Sequence, residues 1–328
     1  MARYKKRKNV NFKVVVIGVV IALVVIIGGV MHFVEAKAKD KPIDNTKTLE
    51  NNQNVQNQDQ KSQNKEVVTE NKYGYPEQGS NIIESAKSYA VPANQVFTML
   101  NSKARVNNEK EVFLTFDDGP SQNTPKILKI LKQYGVHATF FALGSNLENS
   151  SENREYLKEI YESGNAIANH TYSHNFHKLY PSNNVNVNVF MKEIAETDKI
   201  MRNILGDNFN TRVLRMPGGY MSRVYYHDKN LNALKEALKE TGVVSIDWDA
   251  ETGDATGNGI APNRLINTAI KESANKEHVV LLMHDAAAKK TTVEALPKLI
   301  EYYKNQGYAF KVISNPEQIN SGQTNSEQ

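Results

Sequence analysis

Residues 14–31, VVVIGVVIALVVIIGGVM, form an unbroken run of apolar and small uncharged positions. Crossing a hydrocarbon layer takes roughly 20 residues of helix, so one transmembrane signal-anchor is expected over 14–34. The flank before it, 1–13, carries Arg3, Lys5, Lys6, Arg7, Lys8 and Lys13 and no acid. Basic flanks stay on the cytoplasmic side, which predicts an extracytoplasmic position for everything that follows. The alternative is a signal peptide cleaved near Ala38, because Ala36 and Ala38 stand in an A-x-A arrangement; such leaders have apolar stretches of only about 7–15 residues.

The pattern then changes twice. Residues 35–80 are dense in Asn, Gln, Lys and Glu. So few apolar positions cannot offset the entropy of ordering, and a disordered linker is predicted. From Asn81 the text becomes globular, first as a helical lead-in over 81–109 interrupted at Pro92, then as a regular alternation over 110–313. Short β-branched or aromatic runs (EVFLTF, ATFFAL, AIANH, RVLRMPG, VVSIDW, HVVLLMHD) alternate with helical patterns such as TPKILKILKQYG and NVNVFMKEIAETDKIMRNILG. Within PKILKILKQYG, Ile127, Leu128, Ile130 and Leu131 share a face opposite lysines, with Gly135 as the stop. Strand–helix alternation of this kind predicts an α/β fold with parallel strands and crossover helices. A βα barrel is favoured over an open sheet, because polar candidates follow many different strands. Residues 314–328 revert to a polar composition, which predicts a disordered tail.

Composition narrows the function. The formal charge is +4, but six of the 40 basic residues lie in the N-terminal flank, and the remainder is close to balance against 36 acidic residues. No basic footprint for nucleic acid is present. With no cysteine in the chain, disulfide frameworks and thiolate metal sites are both excluded.

The candidate chemistry sits at strand ends. In TFDDGP two acids, Asp117 and Asp118, end an apolar run; neighbours on a strand point opposite ways, which suggests two jobs. NHTYSH sets His170 and His174 four apart, and a helical turn there would bring both imidazoles to one ion. The same spacing also suits two loop histidines, and the Glu of H-E-x-x-H is missing. Asp118 can supply a third ligand and leave room for water, as catalytic metal sites do. Asp117 is then free to act as general base, with Arg215 of RMPGG as the partner that keeps it ionised. Read alone, Arg215 also suits a surface position. Pro217, Gly218 and Gly219 form a small-residue turn able to offer N–H groups to an oxyanion. His284, ending VVLLMHD, suits a general acid near neutral pH. Leu282, two residues earlier on the same face, is a candidate wall for a small apolar group. Tyr172, Tyr220 and Tyr225 are candidates for stacking on a ligand ring. His177 reads as a loop residue and not as a fourth ligand.

Taken in order, TFDDGP, HTYSH, RMPGG and LLMHD resemble the motif series of the NodB-homology polysaccharide deacetylases, carbohydrate esterase family 4, over about residues 110–313. The resemblance implies a distorted (β/α) barrel and hydrolysis of N- or O-acetyl groups on glycans with one divalent metal ion, usually zinc. It implies Asp117 as base, Asp118, His170 and His174 as ligands, Arg215 as the partner of the base, and His284 as acid. One motif departs from the pattern. In SIDWDAETGDATG, Ala255 stands where a pocket tryptophan is common, Trp248 lies earlier, and either Glu251 or Asp254 is placed to support His284, with Asp254 favoured. The anchor and linker, by holding the domain near a wall, point to peptidoglycan as the substrate, N-acetylglucosamine ahead of N-acetylmuramic acid. Poly-N-acetylglucosamine or a chitin-like oligomer is the alternative substrate, and an inactive wall-binding protein the alternative of another class.

Overall fold

The computed structural model describes residues 78–102 and 109–317. The predicted anchor and nearly all of the predicted linker lie outside these residues. Among the described residues no helix is long and apolar enough to cross a membrane.

In chain order the elements are β1 (Ala90–Pro92), α1 (Ala93–Asn101), β2 (Glu111–Gly119), α2 (Thr124–Tyr134), β3 (Thr139–Ala142), α3 (Gly144–Asn149), α4 (Ser151–Glu162) and β4 (Ala166–Asn169). They continue with α5 (Phe176–Leu179), α6 (Val187–Leu205), β5 (Val213–Leu214), α7 (Tyr220–Tyr225), α8 (Leu231–Thr241), β6 (Val244–Ser245) and β7 (Ala250–Glu251). α9 (Pro262–Ser273), β8 (His278–His284), α10 (Lys290–Asn305) and β9 (Ala309–Ser314) complete the set.

Every ladder among them is parallel. β2 is central, with β8 then β7 on one side and β3, β4, β5 and β6 in turn on the other. No ladder among the described residues joins β6 to β7, so the expected ring is open at that seam. The sheet nevertheless curls on itself, because side chains from distant strands meet. Phe113, Phe141, Ala168, Val213, Ile246 and Val280 form one buried cluster on its inner face. The alternate positions of β2 and β8, Val112, Leu114, Phe116, Val279, Leu281 and Met283, pack with the covering helices in a second cluster. This is the period-two consequence of a strand buried on both faces. Each fully buried Phe or Leu contributes about 1.5–3 kcal/mol.

Two expectations about the edges change. The lead-in is not a helix broken at Pro92: residues 84–89 form a 3-10 helix, β1 follows, and α1 begins immediately after the proline. Proline lacks an N–H and fits an edge strand or a helix start far better than a helix interior. β1 pairs with β9, and Val91, Ala93 and Val96 join the inner cluster, so the lead-in belongs to the same core. The tail begins later than 314, because Ser314 pairs with Pro92, and the Asn315 side chain accepts from Arg212 N–H at 2.7 Å.

Since all the strands run the same way, their C-terminal ends open on one face. Asp117, Asn169, Leu214, Glu251 and His284 all lie at such ends.

Candidate active site

Asp117 and His284 are cross-strand partners in the β2–β8 register, which directs both side chains to the inner face. Thr115, two residues before Asp117, shares that face. Arg215 follows β5 and is fully buried, with its Nη1 donating to Asp117 Oδ1 and to Thr115 Oγ1, both at 2.8 Å. Its Nε and Nη2 donate to the carbonyls of Ile246 (3.0 Å) and Asp247 (3.1 Å), in the connection that crosses the open seam. The guanidinium also lies 4.1 Å over the Phe141 ring. One side chain therefore ties the segment after β6 to the central strand β2 and orients the first carboxylate. Burial raises the Asp117 pKa above its ordinary value, opposed by the adjacent Arg215 charge.

The two acids of TFDDGP diverge because Asp118 adopts a left-handed backbone, φ 68°. Such a conformation is costly for a residue other than glycine and has to be held by its surroundings. Asn146 of α3 does this, donating to the Asp118 carbonyl at 2.8 Å. Gly119 follows because a Cβ there would lie 2.5 Å from the buried Asp285 carboxyl. Asp285 in turn accepts from Ser121 (3.3 Å) and Thr124 (2.5 Å), and burial pushes its pKa up to about 8.

His170 and His174 converge, but not on a helical turn. Residues 170–175 form a loop, with Thr171 at φ 68° and His174 at φ 51°. Local side chains impose it: Asn169 Oδ1 accepts from Thr171 N–H at 2.8 Å, and Glu193 of α6 accepts from both the N–H (2.9 Å) and the hydroxyl (2.6 Å) of Ser173. Backbone groups satisfied by side chains have no need of a helix.

Asp118, His170 and His174 offer ligand atoms that all lie within 4.8 Å of one another. His170 Nε2 is 3.5 Å and His174 Nε2 3.6 Å from Asp118 Oδ1. Ligands bound at about 2.0–2.2 Å around a tetrahedral ion lie roughly 3.4 Å apart, so the spacing fits. Asp118 Oδ1 is buried without a hydrogen-bond partner among the described residues. His170 Nδ1 donates to the Arg215 carbonyl at 2.7 Å, which leaves the Nε2 lone pair facing the cluster. Burial, with His174 beside it, lowers the His170 pKa to about 3, keeping the ring neutral. The residues present thus fit a divalent cation. Asp117 Oδ2 lies 3.7 Å from His170 Nε2, at the edge of the same cluster.

His284 donates from Nδ1 to Asp254 Oδ1 at 2.7 Å, and its backbone N–H donates to Asp254 Oδ2 at 2.9 Å. Thr292 adds a third bond to that carboxylate, at 2.7 Å. Burial opposes ionisation of both partners, but their mutual attraction prevails: Asp254 is lowered, and His284 is raised to about 9. Glu251, the other candidate, has its backbone N–H bonded to Glu272, and burial raises its carboxyl.

Pro217 is buried and its carbonyl accepts from Tyr180, while Gly218 is exposed. The N–H of Gly219 donates to Met216 O, and those of Tyr220 and Met221 donate to Asp247 at 2.8 and 2.9 Å. Gly219, at φ 80°, is packed so closely that a Cβ would meet the Trp248 ring at 2.9 Å. Trp248 also faces the Arg215 guanidinium, 5.6 Å away. Leu282 is buried on the His284 side of β8. His177 is exposed on α5 and is not among the converging ligands. A cleft of about 530 Å³ opens beside Asp118 and His174, lined also by Pro120, Leu143, Asn146 and Ala286.

Sequence reasoning missed Thr115, Asn146, Glu193, Asp247, Asp285 and Thr292, all of which hold the site in place. Thr115 had a signal, lying two positions from Asp117 on one strand, and Asp247 and Asp285 stand inside the quoted SIDWD and LLMHD runs. Asn146, Glu193 and Thr292 act across the fold and had none.

Residues 104–240 match the profile of the polysaccharide deacetylase family. A peptidoglycan-N-acetylglucosamine deacetylase from Bacillus cereus is 31% identical over 217 residues, covering 63% of this chain and 88% of the relative. A bifunctional xylanase/deacetylase from Pseudobutyrivibrio xylanivorans is 28% identical over 65% of this chain, which spans only 31% of that protein. Among solved structures, an esterase of carbohydrate esterase family 4 from Streptococcus mutans is similar at TM-score 0.64 and 35% identity, over 71% of this chain and 95% of the other. The chain belongs to the polysaccharide deacetylase family. It is a hydrolase of the class that cleaves amide bonds.

Proposed function

We propose that this chain is a divalent-metal-dependent deacetylase that removes N-acetyl groups from peptidoglycan, N-acetylglucosamine first, at the outer side of the membrane to which residues 14–34 anchor it. The observation that carries this reading is the division of labour in TFDDGP. Asp118 converges with His170 and His174, while Asp117 stays between that cluster and Arg215. A charge-fixed carboxylate beside an ion-binding cluster and opposite a protonated imidazole is an arrangement for amide hydrolysis.

Asp118, His170 and His174 would hold the ion, with zinc suited to the two-nitrogen, one-oxygen donor set. When bound, a divalent cation supplies Lewis acidity toward the acetamide carbonyl and lowers the pKa of water. Asp117 Oδ2 takes the proton of the attacking water, while Oδ1 stays on Arg215. The Gly218 N–H donates to the oxyanion that develops on the carbonyl, since its neighbours at 219–221 are already engaged. His284 Nε2–H delivers a proton to the departing sugar nitrogen as the C–N bond breaks, and Asp254 steadies the charge it holds beforehand. Leu282, Trp248 and Tyr220 are the side chains we assign to the substrate's acetyl and sugar groups. The products are acetate and a free amine on the glycan.

Peptidoglycan is supported by the names of the relatives from Bacillus cereus, which are peptidoglycan-N-acetylglucosamine deacetylases, and by the expected anchor. The test is acetate release from purified peptidoglycan, with and without chelator, followed by mass spectrometry of muropeptides. Chelator-sensitive loss of acetyl from glucosamine is the expected result. Intact peptidoglycan beside deacetylated poly-N-acetylglucosamine would transfer the assignment to the latter. No acetate from any glycan, with glycan still bound, would leave a wall-binding protein.

A further inference from the structure

The surface beyond the Pro217-Gly218-Gly219 turn takes no part in the chemistry above. α7 presents Met221, Val224 and Tyr225 to solvent at 59, 42 and 57% exposure, with Tyr226 next to it at 36%. The only other large apolar side chain exposed to this degree among the described residues is Phe97. Such concentration marks a binding surface more often than chance.

A row of rings, bridged at one point by a guanidinium, joins this patch to the ligand cluster. His174 and Phe176 are 5.5 Å apart, and so are Phe176 and Tyr180. The Arg223 guanidinium lies 4.3 Å over Tyr180 and 5.1 Å from Tyr226, which meets Tyr225 edge-on at 5.2 Å. Arg223 is 2% exposed, so two tyrosines are fixed about a buried cation. The start of α7 is pinned by the Asp247 carboxylate to the segment that also binds Arg215. The patch is therefore held in register with the reacting centre.

We propose that Met221, Val224, Tyr225 and Tyr226 form a subsite for the glycan chain flanking the sugar that is deacetylated; this rests on the glycan reading above. A pyranose ring offers an apolar C–H face and a rim of hydroxyls. A tyrosine ring matches the first and keeps its own hydroxyl for the second, and a methionine adapts to irregular contours. The occupant is the uncharged sugar backbone of the glycan. A patch built for an anionic lipid surface would carry exposed lysine or arginine, and residues 220–227 present none, their single arginine being buried.

The test uses the full chain and N-acetylglucosamine oligomers, comparing kcat/KM for the hexamer and the dimer by acetate release. In the wild type the hexamer-to-dimer ratio should exceed one. In Tyr225→Ala/Met221→Ala it should fall roughly 5- to 10-fold, the loss of about one aromatic contact. Phe97→Ala should keep it, and thermal melting should show all three proteins folded. An unchanged ratio in the double variant overturns the proposal, as does a wild-type ratio of one. If the ratio is unchanged while a concentration-dependent dimer or binding to anionic vesicles is lost, the patch belongs to a second copy or to lipid instead. If the wild type releases acetate from neither oligomer, purified peptidoglycan is the control, and the deacetylase reading has failed only when that too keeps its acetyl groups. Hexamer affinity by titration calorimetry then decides the patch alone: weaker binding in the double variant supports it, and equal binding overturns it.

Discussion

Asp254→Asn separates charge from shape at the proposed general acid. The amide keeps an oxygen for the His284 Nδ1–H now bonded at 2.7 Å, but removes the negative charge. In the wild type that charge overcomes burial and carries His284 from 6.5 to about 9. The gap of roughly 2.5 units is worth about 3 kcal/mol, at about 1.4 kcal/mol per unit. With the charge gone, burial acts unopposed by its main partner and the pKa falls to 6.5 or below. In the proposed mechanism His284 works in the protonated form, so kcat/KM should hold up to about pH 9 in the wild type and decline above it. In the variant the decline should begin near or below neutrality, costing roughly 30-fold at about pH 8. Stability follows the same linkage. A raised folded-state pKa stabilises in full below 6.5, and that contribution is lost as pH rises through about 9. Denaturant unfolding should show a wild-type loss of about 3 kcal/mol across this window that the variant lacks. The variant should also be weaker at every pH by about 1–3 kcal/mol, because its NH2 group faces the His284 N–H. An alkaline limb at the same pH in both proteins would refute the reasoning, whatever the change in amplitude.

Asp117→Asn should retain the metal by elemental analysis and keep its bond to Arg215, yet lose on the order of 10²–10⁴ in kcat, because an amide cannot accept the water proton. His174→Ala should lose bound metal together with activity, and full occupancy in that variant would dissolve the ligand assignment. Arg215→Met leaves Asp117 as an unpaired buried carboxylate and frees the carbonyls at the open seam. A loss of about 3–5 kcal/mol by denaturant titration is expected, with an unchanged midpoint refuting the bridging role.

Local pattern was enough to reveal the alternating elements, the parallel sheet and the strand-end positions of Asp117, Asp118, His170, Arg215 and His284. Strand periodicity and the polar interruptions that end each run are properties of neighbouring residues, and they survive without knowledge of the fold. Three strands escaped. β1 and β7 are 3 and 2 residues long, and β9 carries Lys311 in its middle, so none shows a periodic signature. Tertiary structure alone decided what ties the site together. The loop that brings His174 to His170 is set by Glu193 on a distant helix. The choice of Asp254 over Glu251 depends on how a 3-10 turn presents one carboxylate to β8, and the segment entering the open seam is tied to β2 through Arg215. These contacts join residues far apart in the chain, and hydrogen-bond partners at such separations leave no mark on local composition or period. Spacing along the chain names the chemical groups, but the packing of the sheet and its helices determines which of them meet.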